Sequence, residues 1–387
     1  MAGPLRILMV SSSLEDDGGL PVAVGQLSMA LADLGHRVEI TGQHCGALAT
    51  VIGEASRRDG VCVTPFQHPW HLFGQAAAAR QVRRLVRERC QKASTAREAM
   101  VVHVHGVWAL PAIAGASAAR AAGARVVVHP HGMLRAEPMR KSRLRKTLVF
   151  NSLVRPMLAN SDVVQATTAA EAHDLVRLMP SLQPKTVPLG IGSLAIQGAR
   201  KSEGFLTAGY MGRILPIKNL DTLLRAWAAA TDSRWRLHLA GPGDPRYIQT
   251  LQSLARSLGL GDRVVFQPAV PHTDLGQFLT GLDLFIHPSK SESFALGVGE
   301  ALAAGAPVIT TTFDPWSPVA NYGCGWTAQP TQAGLEAAIR IATTFARKEL
   351  ESMGQRGAAW IKTEYGWPAI ARRYVSDLYT AAPEPHG

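Results

Sequence analysis

The chain reads as an α/β protein made of two doubly wound parallel sheets, and three observations predict this. Short apolar runs alternate with segments of helical spacing; the runs end in loops rich in Gly, Ser, Pro and His; and the series stops near residue 190 and starts again after residue 204. Alternation of this kind implies a mostly parallel sheet covered by helices on both faces. The restart implies two domains, 1–190 and 191–363, and 387 residues is more than one core usually holds.

Each element follows from local chemistry. LRILMVSS is an apolar strand ending in small polar residues, and EDDGGLPVAVGQLSMALADLGHRVEI continues as glycine loop, helix, turn and strand. AMVVHVHG (99–106), ARVVVHPHG (124–132) and SDVVQATT (161–168) supply further strands. VPLGIGSLAIQGARKSEG (187–204), polar and glycine-bearing, is the joint. FLTAGYMG, RWRLHLAGPG, RVVFQPAV, LDLFIHPS and APVITT are the strands of the second series. In open parallel sheets ligands sit at the C-terminal ends of the strands, so the loops that follow them hold the candidate chemistry.

Composition excludes several classes. With 47% hydrophobic and 18% charged residues the chain is globular, and it contains no 18-residue apolar run of the kind that spans a membrane. The start, MAGPLRILMVSSS, lacks the basic leader of a signal peptide, which predicts a cytoplasmic protein. Cys45, Cys62, Cys90 and Cys324 show neither zinc nor disulfide spacing and read as free buried thiols. The charge of +11 is uneven: residues 1–193 hold 22 Lys/Arg against 13 Asp/Glu, so +9 lies in the first half. RQVRRLVRERCQK (80–92) and RAEPMRKSRLRKTLVF (135–150) concentrate it, as solvated faces or as surfaces for anionic lipid or phosphate. Neither segment carries a nucleic-acid reading motif or stacking aromatics.

Four constellations remain. In PSKSESFALGVGEALAAGAPVI, Glu292 follows a strand and Glu300 sits in the first turns of the next helix, so the two carboxylates bracket a helix N-terminus. Structurally they read as a loop acid and a helix-dipole partner. In GYMGRILPIKNLDTLLRAW, Gly212, Arg213 and Lys218 precede a helix, and two cations beside unpaired N–H groups suit a diphosphate. No Walker loop and no D-x-D pair is present, so no metal is assigned and the cations would meet the diphosphate directly. Gly18 and Gly19 open the first helix, either as a tight turn or as backbone laid against a phosphate or sugar. The histidines of HVHG and HPHG, His103, His105, His129 and His131, lie in pairs on one face of a strand, as crevice donors or structural groups.

Together these residues resemble the retaining glycosyltransferases of family 4, whose GT-B fold sets two Rossmann-like domains facing across a cleft. The resemblance covers nearly the whole chain and rests on Glu292 and Glu300, separated by seven residues within PSKSESFALGVGEALAAGAPVITT. It implies an acceptor-binding first domain and a donor-binding second one. It further implies that Arg213 and Lys218 hold the donor diphosphate, that Glu300 binds the ribose, and that Glu292 and the backbone of Phe294, Ala295 and Leu296 grip the transferred sugar. Gly18 and Gly19 fall in the family's glycine loop, and His131 at the strand end facing the donor sugar. The tail, 364–380, resembles a last helix that packs back on the first domain.

The implied activity is transfer of a hexose from GDP-mannose or a UDP-hexose to a glycan or polyprenyl-linked acceptor in surface polysaccharide synthesis, without metal or cofactor. The implied site of action is the cytoplasm or the anionic inner face of the plasma membrane, with no nucleic-acid partner. A nucleotide-sugar epimerase or another GT-B enzyme is the alternative. Two departures from the family stand out: Ala295 replaces a common glycine, and VFQPAV lacks the commoner Leu-Gly.

Overall fold

A computed structural model of the protein describes residues 3–15, 19–44, 46–68, 71–136, 139, 142–192, 204–313 and 315–381. Its contacts divide the chain into two compact units, Met1–Gly190 with Trp367–Gly387, and Ile191–Gly366.

The first unit is built on eight strands: β1 (Arg6–Ser11), β2 (Arg37–His44), β3 (Val61–Val63), β4 (Phe66–Gln67), β5 (Met100–His105), β6 (Arg125–His129), β7 (Val163–Ala166) and β8 (Lys185–Thr186). They run in the order β3-β2-β1-β5-β6-β7-β8, with β4 also against β2, and every pairing is parallel. The pleat sends alternate residues to opposite faces. Leu8 and Val10 of β1 therefore join one core with Val102, Val104, Val126 and Val128, while Ile7 and Met9 join another with Val101 and Val127. Burial on both faces explains the near-continuous apolar runs of these strands.

The second unit has six parallel strands: β9 (Leu206–Met211), β10 (Trp235–Ala240), β11 (Val264–Gln267), β12 (Leu284–His287), β13 (Val308–Thr311) and β14 (Gly325–Ala328). Their order, β11-β10-β9-β12-β13-β14, reverses direction between β9 and β12. A ligand crevice forms at such a switch point, at the C-terminal strand ends. Behind it, Leu220, Leu223, Leu224 and Trp227 of the helix Leu220–Ala230 are fully buried, with Trp227 edge-on to Trp235 at 6.2 Å.

Trp367–Arg373 and the following turn Tyr374–Tyr379 belong to the first unit. Trp367 donates from its indole to Gln26 at 2.7 Å and lies flat on Gly190, where a Cβ would come within 2.2 Å of the ring. Tyr374 accepts from Gln165 at 2.6 Å.

Several sequence expectations need correction. Strands β3, β4, β8 and β14 were not read; the first three are two or three residues long, too short for a period to show. In the basic segment 135–150, Arg143–Val149 is helical, and Arg135 forms an ion pair with Asp174 at 3.0 Å instead of a free basic face. Cys62 is exposed, while Cys90 and Cys324 are buried and free; Cys45 lies outside the described residues.

Candidate active site

The loops leaving β9 and β12 meet at the switch point, where the Lys290 amide donates to the Ile217 carbonyl at 3.0 Å, and the loop leaving β10 fits closely against the β9 loop. Gly212 and Gly241 both have positive φ, at 143° and 147°, and a Cβ on Gly241 would stand 1.9 Å from the Gly212 carbonyl oxygen. Only glycine permits that approach. Beyond Gly212 the chain passes through a short 3-10 turn, Pro216–Lys218, to Asn219, which is buried and left-handed at φ 62°. Asn219 donates through Nδ2 to the carbonyls of Pro288 (3.1 Å) and Pro330 (3.0 Å) and accepts from Thr222 at 2.8 Å. It thereby fixes Lys218 beside the loop after β12.

Glu292 lies in that loop, as its position after LFIHPS suggests. Its Oε1 is ion-paired with Lys218 and hydrogen-bonded to His287 Nε2 at 2.9 Å. Burial alone would raise its pKa, but the His287 hydrogen bond and the Lys218 charge prevail and hold the carboxyl far below the usual range. Arg213 is exposed, and among the described residues its guanidinium has no partner. The two cations thus differ: Lys218 is engaged and Arg213 is open.

Glu300 lies in the helix Leu296–Ala303, one turn in from its N-terminus. No partner for its carboxyl exists among the described residues, and burial pushes it up to about 7 although part of the residue stays accessible. The helix starts at Ala295, which is left-handed at φ 57° and offers no side-chain cap. The Val298 amide donates to the Ala295 carbonyl at 3.0 Å, while the Leu296 and Gly297 amides have no side-chain cap and suit an anion or a sugar hydroxyl. Phe294 is 4% exposed, with its ring against Trp316 at 5.3 Å, so only its main chain is available to a ligand. Buried Trp316 donates to the carbonyls of Phe294 and Ala295, the latter at 3.1 Å, and ties the loop down from behind.

The first unit holds the remaining candidates. Gly19 is exposed and begins the helix Gly19–Asp33; Gly18 lies outside the described residues. His131 is not on a strand with His129 but in the turn after β6, left-handed at φ 52°. Its ring stacks on His129 at 3.5 Å and its Nε2 lies 2.9 Å from His105 Nδ1. Burial drives it down to about 3, so the imidazole is neutral at physiological pH. His103 Nδ1 pairs with Tyr379 at 2.9 Å. The ligand atoms of His103, His105 and His129 come within 4.8 Å of one another. No carboxylate or thiolate joins them there among the described residues.

Sequence reasoning therefore found Glu292, Glu300, Arg213 and Lys218 and missed His287, Asn219 and Trp316. His287 carried a signal: it ends a strand five residues before Glu292, close enough for one loop to fold back on it. The roles of Asn219 and Trp316 depend on loops more than 65 and 20 residues away, and no local pattern shows that.

Two parallel-sheet units, each with a reversal of strand order and with candidate residues at the strand ends, are the architecture of a GT-B protein. Solved structures of that class match almost end to end. HepE of Anabaena, in complex with UDP and glucose, superposes with TM-score 0.73 at 20% identity, over 97% of this chain and 100% of that one. WaaG, involved in lipopolysaccharide biosynthesis, gives 0.68 at 17% over 97% and 100%. Residues 18–190 match the glycosyl transferase 4-like domain, and 195–360 match the glycosyl transferases group 1. The chain belongs to the family 4 type of glycosyltransferases. Among curated relatives, a D-inositol 3-phosphate glycosyltransferase of Streptomyces avermitilis is 30% identical over 254 residues, 59% of this chain and 54% of that protein. The chain spans about half the length of the curated relatives it matches.

Proposed function

We propose that the protein transfers a hexose from a nucleotide-diphosphate sugar, GDP-mannose or a UDP-hexose, to a glycan or lipid-linked acceptor of a surface polysaccharide, with retention of configuration. The single observation that carries this reading is the arrangement at the β9/β12 switch point. One cation is open, a second sits beside Glu292, and an unpartnered carboxyl lies one turn into a helix whose first amides are not capped. That arrangement suits each end of a nucleotide sugar: Arg213 and Lys218 for the diphosphate, Glu300 for the ribose, and Glu292 with the 294–296 main chain for the sugar. Binding of UDP by HepE supports a nucleotide-sugar ligand.

The chemistry follows from charge. As the bond between sugar C1 and the phosphate oxygen breaks, negative charge grows on the diphosphate, and Arg213, Lys218 and the helix amides stabilise it more than the ground state. The acceptor hydroxyl attacks C1 on the face the phosphate leaves, and its proton passes to the leaving phosphate oxygen. No divalent cation is assigned, because two protein cations meet the diphosphate. His131 and Gly19, in the first unit, are proposed to contact the sugar and the phosphates. The outward Leu144 (89% exposed) and Leu148 (71%), beside Arg145 and Lys146, support docking on an anionic membrane face.

Arg213→Ala and Lys218→Ala are each expected to cost about 2–4 kcal/mol in transition-state stabilisation, read as kcat/KM. Turnover near wild type in both would refute the assignment. Loss of donor in the absence of acceptor, without hydrolysis, would favour an epimerase instead.

A further inference from the structure

We propose that Lys218 and Glu292 form a latch that the donor diphosphate must open, and that His287 is the positioning residue that keeps Glu292 in place once Lys218 has left it. This rests on reading the switch point as a nucleotide-sugar site.

Glu292 Oε1 is shared: Lys218 Nζ and His287 Nε2 both reach it. The three side chains are 10%, 15% and 4% exposed for Glu292, Lys218 and His287. An ionised carboxylate only accepts, so Nε2 of His287 carries the hydrogen and Nδ1 the lone pair. Nδ1 is buried and has no partner, so a second proton placed there would find no hydrogen-bond acceptor. His287 is thus a neutral donor of fixed tautomer.

The two partners differ in freedom. His287 ends β12, and its ring is stacked with Tyr210 (5.7 Å) and Phe285 (6.3 Å) and lies edge-on to Phe313 (5.9 Å). It has no room to turn away. Lys218 ends a short turn and carries its charge on a four-carbon stem that can swing while Asn219 stays clamped. A diphosphate meets the open Arg213 without breaking any contact. It gains Lys218 only by drawing the ammonium from Glu292, and the carboxylate then keeps the His287 N–H. The ion pair therefore neutralises two buried charges and hands one of them to the ligand.

A double-mutant cycle tests this, with UDP and GDP titrated calorimetrically into the folded protein and donor turnover measured in parallel. Glu292→Gln is expected to tighten nucleoside diphosphate binding about fivefold while lowering kcat. In a Lys218→Ala background the same change is expected to leave the affinity as it was. Equal tightening in both backgrounds would mean simple repulsion between Glu292 and the ligand, and would overturn the latch, as would no tightening at all. His287→Phe is expected to lower kcat at least about tenfold with nucleoside diphosphate affinity unchanged, and His287→Gln, which restores an N–H, to recover part of it. Loss of affinity and kcat together in both His287 variants would make the role merely structural. If the wild-type protein binds neither nucleotide, the site reading fails and the proposal fails with it; binding without the coupling defeats the latch alone.

Discussion

At the scale of residues, the two glutamates that share one motif stand in opposite electrostatic states. Glu292 is ionised by its neighbours, whereas burial keeps Glu300 titrating near 7. Because the folded-state value of Glu300 lies above its ordinary 4.5, the protonated form is the one folding favours. Its contribution to stability is complete below pH 4.5 and is lost as pH rises through about 7. For the proposed ribose contact ligand binding has the opposite sign, since only the carboxylate would accept from two ribose hydroxyls. Affinity for a nucleotide sugar is expected to rise up to about tenfold between pH 6 and 8, and Glu300→Gln to flatten that limb. A nucleotide sugar is the right probe because its doubly esterified diphosphate does not titrate there. Ala295 also belongs at this scale. Its left-handed backbone explains why glycine is common at this position in the family, a preference that alanine meets with strain of about 1–2 kcal/mol.

At the scale of elements, the donor-side loop is held from behind. Trp316 is fully buried, bonds the 294–295 carbonyls and packs on Trp360 (6.0 Å) and Tyr365 (5.0 Å), so it backs the main chain at 294–295 from behind. Trp316→Phe keeps the packing and removes the N–H. It is expected to destabilise the protein by about 1–3 kcal/mol in chemical denaturation and to raise KM for the donor. How far the elements were legible depends on their periodicity. β1, β5, β6 and β12 announce themselves because burial on both faces makes their central residues near-continuous apolar runs. β14 does not, because two of its four residues are only partly buried and GWTA has no period to read. The candidate site was legible where chemistry is local, as at Glu292 and Lys218. It was illegible where a tie spans the chain, as from Asn219 to Pro330.

At the scale of the whole molecule, the restart near 190 is read from the strand pattern, whereas the returning tail is implied by the family resemblance alone. The boundary itself falls at Gly190 and Gly366, where the chain leaves the first unit and re-enters it. No helix among the described residues is long and apolar enough to cross a membrane. Leu144 and Leu148 are exposed, and they are the surface on which the proposed membrane docking is tested. Vesicles with anionic lipid are expected to carry the protein up a density gradient, neutral vesicles less so, and Leu144→Gln with Leu148→Gln to halve the bound fraction or more. Indifference to lipid charge and to both substitutions would remove the membrane from the account.

The most direct test of the central claim is calorimetric titration of the purified protein with GDP, UDP and ADP and their hexose conjugates, without added metal. One nucleotide series is expected to bind at a single site, and Arg213→Ala with Lys218→Ala to abolish it. No binding by a folded protein across the panel, or binding that both substitutions leave intact, would contradict a nucleotide-sugar site at the β9/β12 switch point.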